Sequence, residues 1–457
     1  MAKKCFCGRY FGSEGALLQH QRSSAVPICT SAFMNPFDGT RLPMPKSASQ
    51  TLLERFKGLR PRDKWMVRDI GVEVRSIMAT SLQLSGLETP VSSSSASRVI
   101  CTYNWANMAQ PTVYVPGGAP VYQSIPLPIK VQPDSGFRYV DQNASRLPKY
   151  PFEVVFHAVE KMEPTFRFDS IDVLLNRNSL RKFFDFCMGR TQDSFRVNLF
   201  LVNNTLIIER CVKSPKEYLN NSGGSGFGHN FEQATTRLPP GLQDSSSHHR
   251  VLRYKLGGLE CAVRFEVDAS YDDPNESVVQ VSGAGIPSGV SQRDDIESLG
   301  ASLSSMALGN SANTPAANDI SMRAITRGSG TPQTSVAELK SHTINKGRPK
   351  AIPQLWFGRT RYLITGYHQS GIFAEVKVDD LSKNLVDWEN KEANQNGLRK
   401  MTLLLSRLRD VVGMTEGKDC VAIYEKGVGS ALRVFVSTSG KGPLPDSIIE
   451  KFWEAEA

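Results

Sequence analysis

Residues 334–358 read TSVAELKSHTINKGRPKAIPQLWFG, and the triplet Glu338-Leu339-Lys340 within them decides how the rest of the chain is read. Residues two apart in a strand share a face, so Glu338 and Lys340 project together while Leu339 points inward. The pattern alone carries little, because Glu-x-Lys recurs at Glu375/Lys377, Glu389/Lys391 and Glu416/Lys418. Its surroundings have to separate these copies. Upstream, VLRYKLGGLECAVRFEVDAS (251–270) holds two apolar-alternating runs about Gly257-Gly258. Paired glycines supply the positive φ of a primed turn, which predicts a hairpin. Its second arm ends in Glu266-Val267-Asp268, with Val267 facing the core and both acids on the other face, beside Arg264. Three carboxylates and a lysine at the ends of neighbouring strands suit Mg²⁺ or Mn²⁺, which take oxygen ligands and leave positions for water and phosphate. The competing reading is a solvated strand face on which Arg264 pairs with the acids.

Downstream of the triplet the pattern predicts a helix near 351–360, strands RYLITGY and GIFAEVKV, and the helix LRKMTLLLSRLRDVV. A hairpin from CVAIYEKG to ALRVFVST and a terminal helix PDSIIEKFWEA follow. Earlier in the chain, PFEVVFHAVEKM and SLRKFFDFCMG read as helices, the second ended by Gly189. FRVNLFLVNNTLIIERCV reads as two strands about Asn203-Asn204. Helices and strands are mixed, so the expected class is α+β. Residues 274–333 are Ser/Gly/Ala/Asn-rich without periodicity and are expected to be a disordered insertion, having too little apolar surface to offset ordering entropy. The expected organisation is a small module at 1–30, a linker with a basic helix over 31–98, and a core formed by 99–273 and 334–457.

The chain has 457 residues, 40% hydrophobic and 22% charged, a globular composition. No run approaches the ~18 apolar residues of a membrane helix, and MAKKCFCGRYF at the start has no apolar signal core. A nuclear or cytoplasmic protein without a membrane partner is expected. The net charge of +9 fits either plain solubility or an anionic partner such as RNA. Basic residues crowd 55–75 and 340–350.

The N-terminal CFCGRYFGSEGALLQH follows the second half of a C2H2 zinc finger, with Cys7, Phe11, Leu17 and His20 at finger spacing. It departs from that pattern in the tight Cys5-x-Cys7 pair and in lacking a second histidine; the next candidate ligand is Cys29. Structural Zn²⁺ on Cys5, Cys7, His20 and Cys29 is one reading, and a relic finger without metal is the other. Either the finger or the 274–333 segment could contact a protein partner.

The order of motifs from 171 to 378 resembles the decapping exoribonuclease (DXO-type) family, enzymes of RNA 5′ ends with a PD-(D/E)xK-like nuclease core. IDVLLNRNSLRKF is similar to that family's arginine segment and places Arg177. GFGHNFEQATT resembles its Gly-x-x-Phe-Glu segment and places Glu232. The hairpin places Glu266 and Asp268, VAELKSH places Glu338 and Lys340, and KAIPQLWFGRTRYLITGYHQSG places Gln354. The resemblance implies a mixed β-sheet core with flanking helices, and Mg²⁺ or Mn²⁺ on Glu232, Glu266, Asp268 and Glu338. It further implies that Lys340 joins these acids in catalysis and that Arg177 and Gln354 contact substrate. This chain departs from the family at Asn176 and Asn178, which flank Arg177, and at Phe265 before Glu266.

Residues 103–268 also resemble an uncharacterised fungal family whose members often carry the name geranylgeranyl pyrophosphate synthetase, on the segments TYNW, PTVYVPG, DQNASRLPKYPFE and FGHNFEQATT. That name is not supported, because no paired Asp-rich diphosphate motifs are present; Asp272-Asp273 and Asp294-Asp295 lack following partners. Two functions stand: a metal-dependent hydrolase of RNA 5′ ends, acting as decapping enzyme, pyrophosphohydrolase or 5′–3′ exonuclease, and a catalytically inactive nucleic-acid- or protein-binding module of the same fold.

Overall fold

A computed structural model describes residues 3–4, 10–11, 60–83, 89–219, 226–274, 322–344, 351–427 and 431–454. The chain divides into two compact units, 1–62 and 63–457. In the first, the strands Lys3–Lys4 and Tyr10–Phe11 pair antiparallel. The expected zinc ligands Cys5, Cys7, His20 and Cys29 lie outside the described residues.

The second unit is α+β and contains two large mixed sheets among its described residues. Eleven strands run in the order Arg323–Arg327, Thr112–Pro116, Arg98–Ala106, Ser245–Leu256, Leu259–Val267, Val173–Asn176, Thr205–Arg210, Phe195–Val202, Asp419–Tyr424, Ala431–Ser437, Ile70–Met78. The hairpin turns at Gly257, whose φ of +60° is the conformation its lack of a Cβ permits. Helices cover both faces of this sheet. Arg177–Cys187 and Glu392–Gly413 bury Phe183, Phe184, Leu404 and Leu405 on one side. Glu153–Met162 and Asp446–Phe452 bury Phe156 and Phe452 with Phe168 and Trp453 on the other. Burial on both faces explains the nearly unbroken apolar runs of the central strands, such as Val173–Asn176.

A second sheet is ordered Thr236–Arg237, Val121–Tyr122, Ala269–Ser270, Val336–Thr343, Tyr362–Gln369, Ile372–Asp380, Ile129–Lys130. At one crossing the backbone passes from the first sheet to the second through a single residue. Leu259–Val267 ends in the first, Ala269–Ser270 begins in the second, and Asp268 is the single residue between them. Ala269 then pairs with Ala337 and Ser270 with Val336, so the chain on either side of 275–321 meets in one ladder.

Two expected boundaries are corrected. The 31–98 segment is not all linker. Ile70–Met78 is the edge strand of the large sheet, and Pro61–Val67 before it is a short 3₁₀ helix. The Ser-rich stretch after it is fastened down. The buried carboxylate of Glu389 accepts hydrogen bonds from Ser92 Oγ (2.7 Å), Ser93 N (2.8 Å) and Trp356 Nε1 (2.8 Å), and Gln395 bridges both backbone groups of Val91. The polar groups that made this stretch look solvated are satisfied by protein instead. The 274–333 segment, read as disordered throughout, regains regular structure at its end: Arg323–Arg327 pairs in parallel with Thr112–Pro116. Residues 275–321 lie outside the described residues.

Candidate active site

The site is built where the backbone passes between the sheets. Glu266 closes the strand of the first, Asp268 is the junction, and Glu338 lies on the adjoining strand of the second. The backbone N–H of Leu339 donates to Asp268 Oδ2 (3.0 Å). Glu338 is 2% exposed. Its Oε2 accepts from Arg177 Nη2 (3.2 Å), and its Oε1 accepts from Lys340 Nζ (2.5 Å) and from Gln354 Nε2. Lys340 is two residues away on the same strand face, Arg177 opens the Arg177–Cys187 helix, and Gln354 lies in the Ile352–Gly358 helix. Arg177 also lies over the Phe265 ring, 4.7 Å from its centroid.

Glu232 reaches this cluster from the Gly228–Thr235 helix, which is pinned twice. The buried carboxylate of Asp134 accepts from His229 N (3.2 Å) and Asn230 N (2.9 Å), capping the helix's first turn. Phe231 stacks on Phe373 with centroids 4.6 Å apart. The ring lies so close over Gly366 that a Cβ there would come within 2.4 Å of it.

Charge crowding is written into the protonation of these acids. Burial, then Asp268 and Glu266, raise Glu232 well above the usual carboxylate range. Burial pushes Glu266 up to about 7, with Arg177 opposing and Glu338 adding to the rise. Glu266 opens onto the cleft, so the surrounding walls rather than a covering residue desolvate it. Asp268 and Glu338 lie close enough for each to act on the other's proton. Burial and Glu338 push Asp268 up, whereas in Glu338 Lys340 and Arg177 outweigh burial and hold the carboxyl down. The proton therefore sits on Asp268. Burial works against the Lys340 charge, but Glu338 and Asp268 outweigh it and keep the ammonium protonated.

The oxygen-rich donor set suits Mg²⁺ or Mn²⁺, and carboxyls raised by burial and by neighbouring carboxylates are groups that a cation would relieve. Among the described residues no three His, Cys, Asp or Glu side chains stand close enough to hold a metal ion as placed. The oxygens of Glu338 are already occupied by Arg177, Lys340 and Gln354.

These shifts carry a sign. Raised carboxyls bind protons more tightly in the folded chain than in the unfolded one, where they titrate near 4. Their contribution to stability is present below about pH 4 and is lost as pH rises through 7. His249, pushed down to about 3 by burial, acts in the opposite sense. The cluster is therefore read by difference. Between pH 5 and 8 in EDTA, Glu266→Gln/Asp268→Asn should lose less melting temperature than wild type. Mn²⁺ should raise the wild-type melting temperature more at pH 8 than at pH 5.5, since ligands must be deprotonated. Parallel pH profiles for the two proteins would dismiss this account of the cluster.

Arg264 does not pair with the acids, as the solvated-face reading required. Its guanidinium, 1% exposed, donates to Asn176 Oδ1 (2.9 Å) and the Pro151 carbonyl and lies over the Phe152 ring. The other Glu-x-Lys copies are structural. Glu375 and Lys377 form an exposed pair at 3.2 Å, Glu389 holds Ser92 and Ser93, and Glu416–Lys418 is a 3₁₀ turn. Arg181 was missed by the sequence reading. It donates to Gln354 Oε1 (2.9 Å) from one helical turn beyond Arg177, a spacing of four that could have identified it.

A cavity of about 160 Å³ opens beside Glu266 and Arg177, walled by Asp141, Asn178, Arg210 and Arg264. Depressions of about 600 and 590 Å³ lie elsewhere, one lined by Val74, Met414 and Gly417, the other by Phe200, Asp419 and Lys441. The second also gathers Glu416 and Asp419 with Lys418 and Lys441, so neither size nor charge alone marks the site; the convergence of Arg177, Lys340 and Gln354 on the buried Glu338 does.

Solved structures resemble this two-sheet α+β core. Candida albicans Rai1, solved in complex with pU5-Mn²⁺, is 13% identical; the match covers 82% of this chain and 98% of that one at a TM-score of 0.50. Scheffersomyces stipitis Rai1, solved with (3′-NADP)⁺ and calcium ion, is 12% identical over 84% and 98% at 0.49. K. lactis Dxo1 with manganese is 8% identical over 80% and 96% at 0.44. The fold is that of Candida albicans Rai1, in agreement with the expected DXO-type resemblance. No curated protein matches the sequence. The chain belongs to the family described as Domain of unknown function (DUF8563), whose family model matches residues 74–453. A sheet-built core also differs from the all-α fold of a prenyl synthase.

Proposed function

We propose that the chain is a divalent-metal-dependent hydrolase of phosphodiester or pyrophosphate bonds at RNA 5′ ends. The observation that carries this reading is the collection of Glu232, Glu266, Asp268 and Glu338 around Lys340, with burial first and neighbouring carboxylates second raising the first three. Glu232, Glu266, Asp268 and Glu338 are the metal ligands in this reading. Mg²⁺ or Mn²⁺ supplies a Lewis acid that draws charge from phosphate oxygens and acidifies water. The chain's own groups do the rest. The Lys340 ammonium orients the attacking water, and Arg177 and Gln354, which converge with it on Glu338, turn to the phosphate oxygens. Candida albicans Rai1, of the same fold and solved in complex with pU5-Mn²⁺, supports the choice of metal and substrate class. A nuclear or cytoplasmic setting accords with the five described cysteines, all free.

One observation favours the second reading, an inactive binding module: the oxygens of Glu338 are already engaged by its neighbours. The test incubates purified protein with capped, NAD-capped and 5′-triphosphate RNA in Mn²⁺. Wild type should release 5′ product from at least one substrate, and Glu266→Gln/Asp268→Asn from none. Equal behaviour of the two proteins on all three rejects the enzyme. RNA binding that weakens with salt, without cleavage, then establishes the module.

A further inference from the structure

The site continues outward along one face of the second sheet. Glu338, Lys340 and His342 alternate onto the same side of Val336–Thr343. In the neighbouring strands Lys340 aligns with Thr365 and His342 with Tyr367, and these align in turn with Lys377 and Glu375. Aligned residues share a face. The opposite face carries Leu339 and Ile364 against Phe231 and Phe373, which is the core of this sheet. His342 and Tyr367 are outside that core and half-buried. Their rings meet edge to face at 6.0 Å, and Lys377 Nζ lies 5.6 Å from the centroid of Tyr367.

From the buried acid outward along this face, the order is therefore carboxylate, ammonium, two rings, ammonium. At about 3.3 Å per residue, His342 lies some 13 Å along the strand from Glu338. Rings at that remove do nothing for hydrolysis itself. They do suit the bases of a single strand, whose π-faces stack on aromatic side chains without regard to sequence, while ammonium groups meet its phosphates. Lys377 is free to do so because its partner Glu375 is an exposed neighbour, a weak pairing.

We infer that His342 and Tyr367 form a stacking platform for the bases of single-stranded RNA leading into the carboxylate cluster, with Lys377 at a flanking phosphate. The direction of travel rests on the proposed function; the platform itself does not.

The experiment uses the full chain in EDTA, so that binding is read without hydrolysis. The probes are a fluorescent 5′-phosphorylated oligouridine and the same oligomer with abasic positions. His342→Ala/Tyr367→Ala should weaken oligouridine binding about tenfold or more, and the abasic oligomer should bind wild type and this variant alike. His342→Phe/Tyr367→Phe should stay near wild type, which separates lost stacking from lost folding. The inference is overturned if the alanine variant binds oligouridine as wild type does, if bases and abasic sites bind wild type equally, or if wild type binds neither. Binding with bases required but no cleavage in Mn²⁺ refutes the hydrolase and leaves the platform. Cleavage and binding both indifferent to the alanines refute the platform and leave the hydrolase.

Discussion

Glu338→Gln is expected to lower Mn²⁺-dependent hydrolysis by about 10²–10³-fold, the scale seen when a group that stabilises developing charge is removed, while leaving the protein folded. The reasoning follows the charges. Glu338 is the ionised member of the pair with Asp268 and the anchor for Lys340, Arg177 and Gln354. Removing one partner of a buried ion pair ordinarily destabilises by roughly 3–5 kcal/mol, because a charge is left without compensation. Here a substitute is in place. After burial, repulsion by Glu338 is the largest cause of the raised Asp268 carboxyl. Once Glu338 is neutral, Asp268 gives up its proton and becomes the counter-ion of Lys340. The loss of stability should then stay near 1–2 kcal/mol, that of an imperfectly replaced hydrogen bond. Urea unfolding, hydrolysis rates and an NMR titration of the Asp268 carboxyl check the three parts. Full activity in Glu338→Gln would show that the carboxylate serves only to hold its neighbours.

Phe231→Ala is expected to destabilise by about 3–5 kcal/mol, the range for emptying a buried phenyl site. Phe231 is fully buried, stacked on Phe373 and seated over Gly366. Its helix has eight residues, too few to persist without tertiary support. With the ring gone, the Asp134 cap is the main remaining restraint, and Glu232 is freed from the cluster. Mn²⁺ affinity should therefore fall in the same variant by about 10–100-fold, as it does when groups orienting metal ligands are lost. Denaturant unfolding and calorimetric Mn²⁺ titration read the two effects separately. Unaltered Mn²⁺ affinity in a destabilised Phe231→Ala would remove Glu232 from the candidate ligands.

The positions of the carboxylates were legible because strand geometry is strict. Gly257-Gly258 fixed a turn, the turn fixed parity, and parity put Glu266 and Asp268 on one face with Val267 opposite. Two of the strands that were missed, Ile70–Met78 and Arg323–Arg327, are the two edges of the large sheet. An edge strand has one neighbour and buries little; in Ile70–Met78 only Ile70 and Ile77 are buried, and Val72 is 69% exposed. Its alternation is therefore weak, and the nearby basic residues masked it. The bonds of Ser92 and Ser93 to Glu389 span nearly 300 residues, and no local pattern encodes them. Arg264 was misread for a similar reason. Its partners Asn176 and Pro151 are neighbours only in the folded chain.

Asp268 is the only residue between two strands that belong to different sheets. No loop separates it from Glu266, so there is no slack with which to adjust their spacing. What remains adjustable is the angle at which one sheet leaves the other. In the proposed reading, an ion drawn to these carboxylates would pull on the seam between two hydrophobic cores, and the stiffness of that seam would bear on which ionic radius is tolerated. Substitutions in either core, far from any acid, are where the preference for one cation over another would be retuned.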